Sequence, residues 1–278
     1  MKIDTSSYYP EPLLPPEDKD SGSFVEDESF VKHDNTTVQN HISAHNVADD
    51  TLDNILDEID ERGGFDSKDS FSGGPLDMLS TLLSWIFVPL LMPVYGMILL
   101  FDLSILSYAP SASKWMFTLV VFFINCVIPM ILILLLKKMG VVQDYGLNGR
   151  RERLVPYIIT ALCMGTTAWY MSVKGAPLWI AMFFAGGGLA AVINTVINFR
   201  WKISAHAAGI AGVVAMMVRV AHIGFRPDGA AFAWLIIWIM LAGLLGAARV
   251  WLGRHTVWQV MGGYAVGFLS VYLLITYI

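Results

Sequence analysis

The sequence predicts an all-α protein, a polytopic transmembrane helical bundle of six or seven spans behind an acidic, largely disordered N-terminal tail. Three observations predict it. Of 278 residues, 55% are hydrophobic and only 15% charged, far too few charges for an ordinary soluble domain. The charges are also segregated. Residues 1–75 hold 18 acidic side chains against five basic ones, a balance of −13, and the remaining 203 residues hold 13 basic and five acidic, a balance of +8. From Leu79 onward the chain is a series of apolar segments, most of them near the roughly 20 residues that a helix needs to cross a bilayer.

Residues 1–46 are rich in Pro, Ser, Asp and Glu and lack a periodic apolar face, so they are expected to be disordered. Residues 47–62 differ. Leu52, Ile55, Leu56 and Ile59 recur at i, i+3, i+4 and i+7 with Asp and Glu on the other face, which predicts a short amphipathic helix stopped by Gly63-Gly64. Its acidity does not suit anionic lipid, where a basic face is expected. It reads as a weak helix in a solvated tail, or as a docking helix for a protein partner. No basic region or small-residue cleavage site precedes the first apolar run, so a signal peptide is not expected.

Residues 76–278 form the membrane domain. Spans are placed near 79–101, 115–136, 156–173, 178–197, 204–222, 231–248 and 258–277. The third is short and reads either as a span or as a half-buried segment. Pro89, Pro93 and Pro129 predict kinks that neighbouring helices can accommodate. The run Ala185-Gly186-Gly187-Gly188-Leu189-Ala190-Ala191 lets another backbone approach closely. Cys126 and Cys163 fall inside apolar runs and read as small core residues. Trp85, Trp115, Trp179, Trp201 and Trp251 fall near span ends, as an interfacial belt requires.

Three loops, 137–155, 198–203 and 249–257, fall on one membrane face. They gather Lys137, Lys138, Arg150, Arg151, Arg153, Arg200, Lys202, Arg249 and Arg254. The positive-inside rule makes this face cytoplasmic in a cell (inner) membrane, but an anion site would be basic too, so the rule is confounded. Two crossings precede the first basic loop, which puts the acidic tail on the same face.

The same loops carry a chemical pattern. The first contains Arg150, Arg151, Arg153 and Pro156; the second runs Arg200 to His206; the third runs Arg249 to Gln259. Guanidinium forks and the free N–H groups of a helix start hold anions well. Ser204, Ala205 and His206 are expected to supply such N–H groups, and Arg249 with Arg150, Arg151 or Arg153 the forks. A neutral imidazole can attack phosphorus, and a protonated one can give its proton to the leaving oxygen. His255 and His206 can divide these roles. Gln259 stands four residues after His255, on the same helical face, where its carbonyl oxygen can accept the Nδ1 hydrogen.

These loops resemble the signature of the type 2 phosphatidic acid phosphatase superfamily, which reads K-x6-R-P, then P-S-G-H, then S-R-x5-H-x3-D. Arg249 and His255 match the third motif, Ser204 and His206 the end of the second, and Arg153 the arginine of the first. The resemblance runs from Asn148 to Gly267. It implies that His255 is the nucleophile, His206 the acid, and Ser204, Arg249 and Arg153 phosphate ligands, with no metal and no cofactor. The sequence also departs from the signature. Gly146 stands where the family has lysine, Ile203 replaces proline, Ala205 replaces glycine, Ala248 replaces serine and Gln259 replaces aspartate. A His-Thr-x-x-Gln-Val form occurs in dolichyl diphosphatase-like members, and Arg150 or Arg151 is the candidate for the lysine's work.

The expected function is therefore a lipid phosphate or lipid pyrophosphate phosphatase acting through a phosphohistidine. Phosphatidic acid, phosphatidylglycerol phosphate, polyprenyl diphosphate and a lipid A phosphate all remain open as substrates. A lipid phosphotransferase is a close variant. A catalytically weakened relative that binds anionic lipid, with the tail recruiting a protein partner, is the competing class. A transporter fits less well, because few polar residues lie mid-span. Metal or haem ligation by His206 and His255 fits less well again, because arginines crowd them. His222 reads as an interfacial anchor. Nucleic acid is not an expected partner.

Overall fold

A computed structural model describes residues 74–139, 154–223 and 229–277. The tail with its expected helix at 47–62, and the arginines of the first basic loop, lie outside these residues. Among the described residues every regular element is helical. Seven helical stretches are long and apolar enough to cross a membrane: α1 (Pro75–Leu103), α2 (Ser111–Lys138), α3 (Leu154–Val173), α4 (Leu178–Asn198), α5 (Ala205–Ile223), α6 (Ala230–Trp251) and α7 (Val257–Tyr277). The chain is thus a multi-pass membrane protein. The third span is long enough to cross: its 20 residues reach about 30 Å at the usual helical rise.

The prolines shape the first two spans. In α1, Pro89 and Pro93 lack the N–H that would continue the ladder, and the helix breaks into Pro75–Ile86 and Met92–Leu103 around a short 3₁₀ turn, Pro89–Leu91. Carbonyls at the break find other donors. The Tyr95 hydroxyl donates to Ile86 O at 2.9 Å, and the Cys126 thiol of α2 donates to Leu90 O at 2.8 Å. Ahead of Pro129, α2 widens into a π turn at Phe123–Val127. Asn125 within it donates from Nδ2 to the Thr167 hydroxyl of α3 at 2.7 Å. Both departures from regular helix therefore form cross-links between spans.

The centre of the bundle is α5, where 67% of the apolar window is buried against 22% for α2. Its main partner is α7, which also packs on α4, and α4 packs on α3. Glycine sets these distances. A Cβ added at Gly186 of α4 would lie 2.7 Å from the Val271 Cα of α7, and one at Gly187 would meet the Met164 side chain of α3 at 2.8 Å. Without a hydrophobic drive between helices in lipid, such close backbone approach is what holds them together.

Successive crossings bring the starts of α1, α3, α5 and α7 and the ends of α2, α4 and α6 to one face. A hydrogen bond from Trp251 Nε1, at the end of α6, to Asp77 Oδ1, at the start of α1, ties two of these termini at 2.9 Å. Asp77 is buried.

Candidate functional site

The site is assembled where α6 turns into α7. Gly253 adopts φ +62°, the left-handed conformation that glycine accepts without strain. Arg254 N–H then donates to Arg249 O at 3.1 Å and Gly253 N–H to Val250 O at 2.9 Å. This is the Schellman pattern of a helix end. Its consequence is geometric: the chain reverses within a few residues, so Arg249 in the last turn of α6 and His255 ahead of α7 come to the same place.

The start of α7 is a capping box. Gln259 N–H donates to Thr256 Oγ1 at 3.3 Å, and Thr256 N–H donates back to Gln259 Oε1 at 3.1 Å. The same Oε1 lies 3.1 Å from His255 Nδ1. A backbone N–H can only donate, so the amide atom facing Thr256 is the oxygen. An oxygen can only accept, so Nδ1 of His255 carries the hydrogen there. Nε2 is left with its lone pair in the neutral ring. Both residues are buried, His255 at 4% exposure and Gln259 at 2%, so water competes little for the contact.

The start of α5 is fastened to the start of α7. Ser204 N–H donates to Gln259 O at 3.2 Å. The Ser204 hydroxyl accepts from Ala207 N–H at 3.4 Å, and its carbonyl accepts from Ala208 N–H at 3.1 Å. Ser204 is therefore the N-cap of α5. Two glycines of α7 let this contact form. A Cβ on Gly263 would sit 2.5 Å from Ser204 O, and one on Gly267 would meet the Ala208 carbonyl. Trp201 covers Gly262 in the same way, with a ring carbon 2.7 Å from where a Cβ would stand. It belongs to this packing as well as to the span end. His206 follows as the second residue of α5 and is half-buried.

His206, Arg249 and His255 line one cavity of about 310 Å³. Most of its wall is apolar, from Val88 to Pro93 at the break of α1 through Met164, Phe183 and Val213. The N-terminal end of α5 supplies Ala205, whose small side chain leaves the helix start open to the cavity. Unsatisfied N–H groups and the helix dipole make such a start favourable for an anion.

Of the residues expected from sequence, His206, Arg249 and His255 meet here, and Gln259 stands behind His255. Ser204 does not line the cavity; it caps α5, and its N–H is taken by Gln259 O rather than held for an anion. Arg150, Arg151 and Arg153 lie outside the described residues. His222 stands in the last turn of α5, 16 residues beyond His206 and so about 24 Å along the axis, well away from the cavity. Polar residues not picked out from sequence also line it, Tyr157 and Thr160 of α3 and Asn194 of α4. The signal for the last was present: Asn194 and Asn198 stand four apart in an apolar span, where polar side chains are costly. No protein-family model, curated protein or solved structure matches the chain.

Proposed function

We propose that this protein is a membrane lipid phosphate or lipid pyrophosphate phosphatase working through a phosphohistidine on His255, and a divergent relative of the type 2 phosphatidic acid phosphatases. One observation carries the reading: two histidines and an arginine from separate helix ends line a cavity whose remaining wall is mostly apolar. A phosphate with a hydrocarbon tail has those two characters in that order.

In the first step Nε2 of His255 attacks phosphorus, and the bond from phosphorus to the ester oxygen breaks. His206, protonated, gives its proton to that departing oxygen. Gln259 Oε1 accepts a hydrogen bond from Nδ1–H and keeps the ring turned toward the substrate, while Arg249 and the start of α5 face the charged equatorial oxygens. In the second step His206, now neutral, takes a proton from water as the water attacks the phosphohistidine. Inorganic phosphate leaves, and both rings return to their starting states. Gln259 is a neutral acceptor where a carboxylate would stabilise the imidazolium more strongly, so a modest turnover is expected.

The test uses the full-length protein purified in detergent. Wild type, His255→Ala and His206→Ala are given phosphatidic acid and polyprenyl diphosphate, and released phosphate is measured. Release by wild type with loss in His255→Ala is the expected result, together with acid-labile label on His255 from radioactive substrate. No release by wild type, or equal release by the variants, overturns the enzymatic reading and leaves a protein that binds anionic lipid.

A further inference from the structure

Asn194 is 3% exposed, and its Oδ1 has no hydrogen-bond partner among the described residues. It also lines the cavity that holds His206, Arg249 and His255. A buried amide left without a partner is costly and needs an explanation. The cavity gives one, because a ligand there can supply the missing bond.

The position of Asn194 says which part of a ligand it meets. Along α4 the cavity-lining residues are Gly187, Ala190, Ala191 and Asn194, a stripe at helical spacing about 10 Å long. The three small residues make room for a chain. Asn194 closes the stripe at the end nearest the face where α5 and α7 begin, which is the end carrying His206 and His255. It thus stands between the phosphate position and the tail.

Chemistry narrows the ligand further. Oδ1 only accepts hydrogen bonds, and so do ionised phosphate oxygens, so the phosphate itself cannot satisfy it. Hydrocarbon cannot either. A hydroxyl can donate to Oδ1 in the orientation the structure gives the amide. We infer that Asn194 recognises a hydroxyl on the carbon next to the phosphate-bearing carbon, so that the preferred substrate is a 2-hydroxyalkyl phosphate lipid rather than an isoprenoid phosphate. This rests on the phosphatase reading above and adds to it a specificity-determining residue. Such a hydroxyl belongs either to the backbone of a monoacylglycerol phosphate or to a glycerol headgroup bearing a terminal phosphate.

A matched substrate pair tests it: 1-oleoylglycerol 3-phosphate against its analogue lacking only the middle hydroxyl. Both are given to the full-length protein in detergent, as wild type, Asn194→Leu and Asn194→Ala. Wild type is expected to show kcat/KM at least about tenfold higher for the hydroxylated substrate, the scale of one buried hydrogen bond, and both variants to bring that ratio close to one. Alanine is smaller than asparagine, so Asn194→Ala decides the matter if the leucine variant fails to fold. Equal rates on the pair by wild type, or an unchanged ratio in the variants, overturn the proposal. Phosphatidylglycerol phosphate as a third substrate separates the two sources of the hydroxyl. If wild type releases no phosphate from any of them, the hydrolase reading fails. The thermal midpoint with each lipid of the pair then decides the role of Asn194. Greater protection by the hydroxylated lipid, lost in the variants, supports it, and equal protection overturns it.

Discussion

Nδ1 of His255 lies 3.1 Å from Oε1 of Gln259, and that oxygen already accepts the N–H of Thr256. One amide therefore closes a helix cap and fixes a tautomer. The side chain that orients the ring cannot swing away without opening the first turn of α7. This couples the local stability of a helix end to the direction of an imidazole lone pair.

Replacing Gln259 separates the two duties. Gln259→Leu loses the side-chain half of the capping box and the His255 acceptor together, while the bond from the backbone N–H of residue 259 to Thr256 Oγ1 stays. It is expected to lower kcat by roughly 10–100-fold with little change in KM, the usual scale for losing a ring-orienting bond. Gln259→Glu keeps an acceptor and adds a charge. A carboxylate beside His255 favours the imidazolium, so the ring becomes neutral only at higher pH. The acidic limb of the kcat–pH profile is then expected to move upward in pH. An unmoved limb would show that it does not report the deprotonation of His255.

Ser204 gives a contrasting case. Its hydroxyl accepts from Ala207 N–H at the start of α5. Ser204→Ala is expected to lower stability by about 1 kcal/mol, read as a lower thermal midpoint in detergent, as for other lost caps. KM is expected to stay near the wild-type value, because uniform substrate binding is not removed. A large rise in KM without loss of stability would instead make the hydroxyl a phosphate ligand.

The glycines of α7 make the site possible from behind. Gly267→Ala puts a methyl group against the Ala208 carbonyl, where backbone has to move to admit it. Overpacking of this kind typically costs about 1–3 kcal/mol. It also pushes the start of α5, and with it His206, away from α7. Both the thermal midpoint and kcat are expected to fall. Gly243→Ala in α6 is the control, since a Cβ there meets nothing within 4 Å. Alanine's better helix propensity makes that variant neutral or slightly stabilising.

Much of this was legible in the chain and some was not, for physical reasons. Spans show themselves because crossing a bilayer demands a long apolar run, and length and composition are local properties. Gln259 can be placed beneath His255 because four residues make about one helical turn. The third span reads short in sequence because an apolar run placed at Pro156 begins two residues after the helix itself, which starts at Leu154. Sequence places Ser204 beside His206 but does not tell which way its hydroxyl points, and the structure turns it to the first turn of α5. Asn194 is hard to read as a site residue from sequence, because an uncharged amide in an apolar span marks a site less clearly than a charge does. Only the cavity shows that this amide stands with His206, Arg249 and His255 rather than at a helix contact such as the one Asn125 makes with Thr167.

The division of labour between the two histidines can be resolved by the leaving group. An alkoxide is a poor leaving group and needs a proton as its bond to phosphorus breaks; a nitrophenolate does not. His206→Ala is therefore expected to slow hydrolysis of a lipid phosphate by about 10²–10⁴-fold, the usual contribution of a positioned acid. With p-nitrophenyl phosphate the formation of the phosphohistidine should be far less affected. His255→Ala abolishes that step for both, since the nucleophile itself is gone. The pH dependence carries the same information. With lipid substrate the first step needs His255 neutral and His206 protonated, so its rate falls on the acid side and again on the alkaline side. With nitrophenyl phosphate under single-turnover conditions the alkaline fall should disappear, because no proton donor is required. An equal loss on both substrates in His206→Ala, with the alkaline limb intact, would show that His206 binds phosphate or supports the fold instead of delivering a proton.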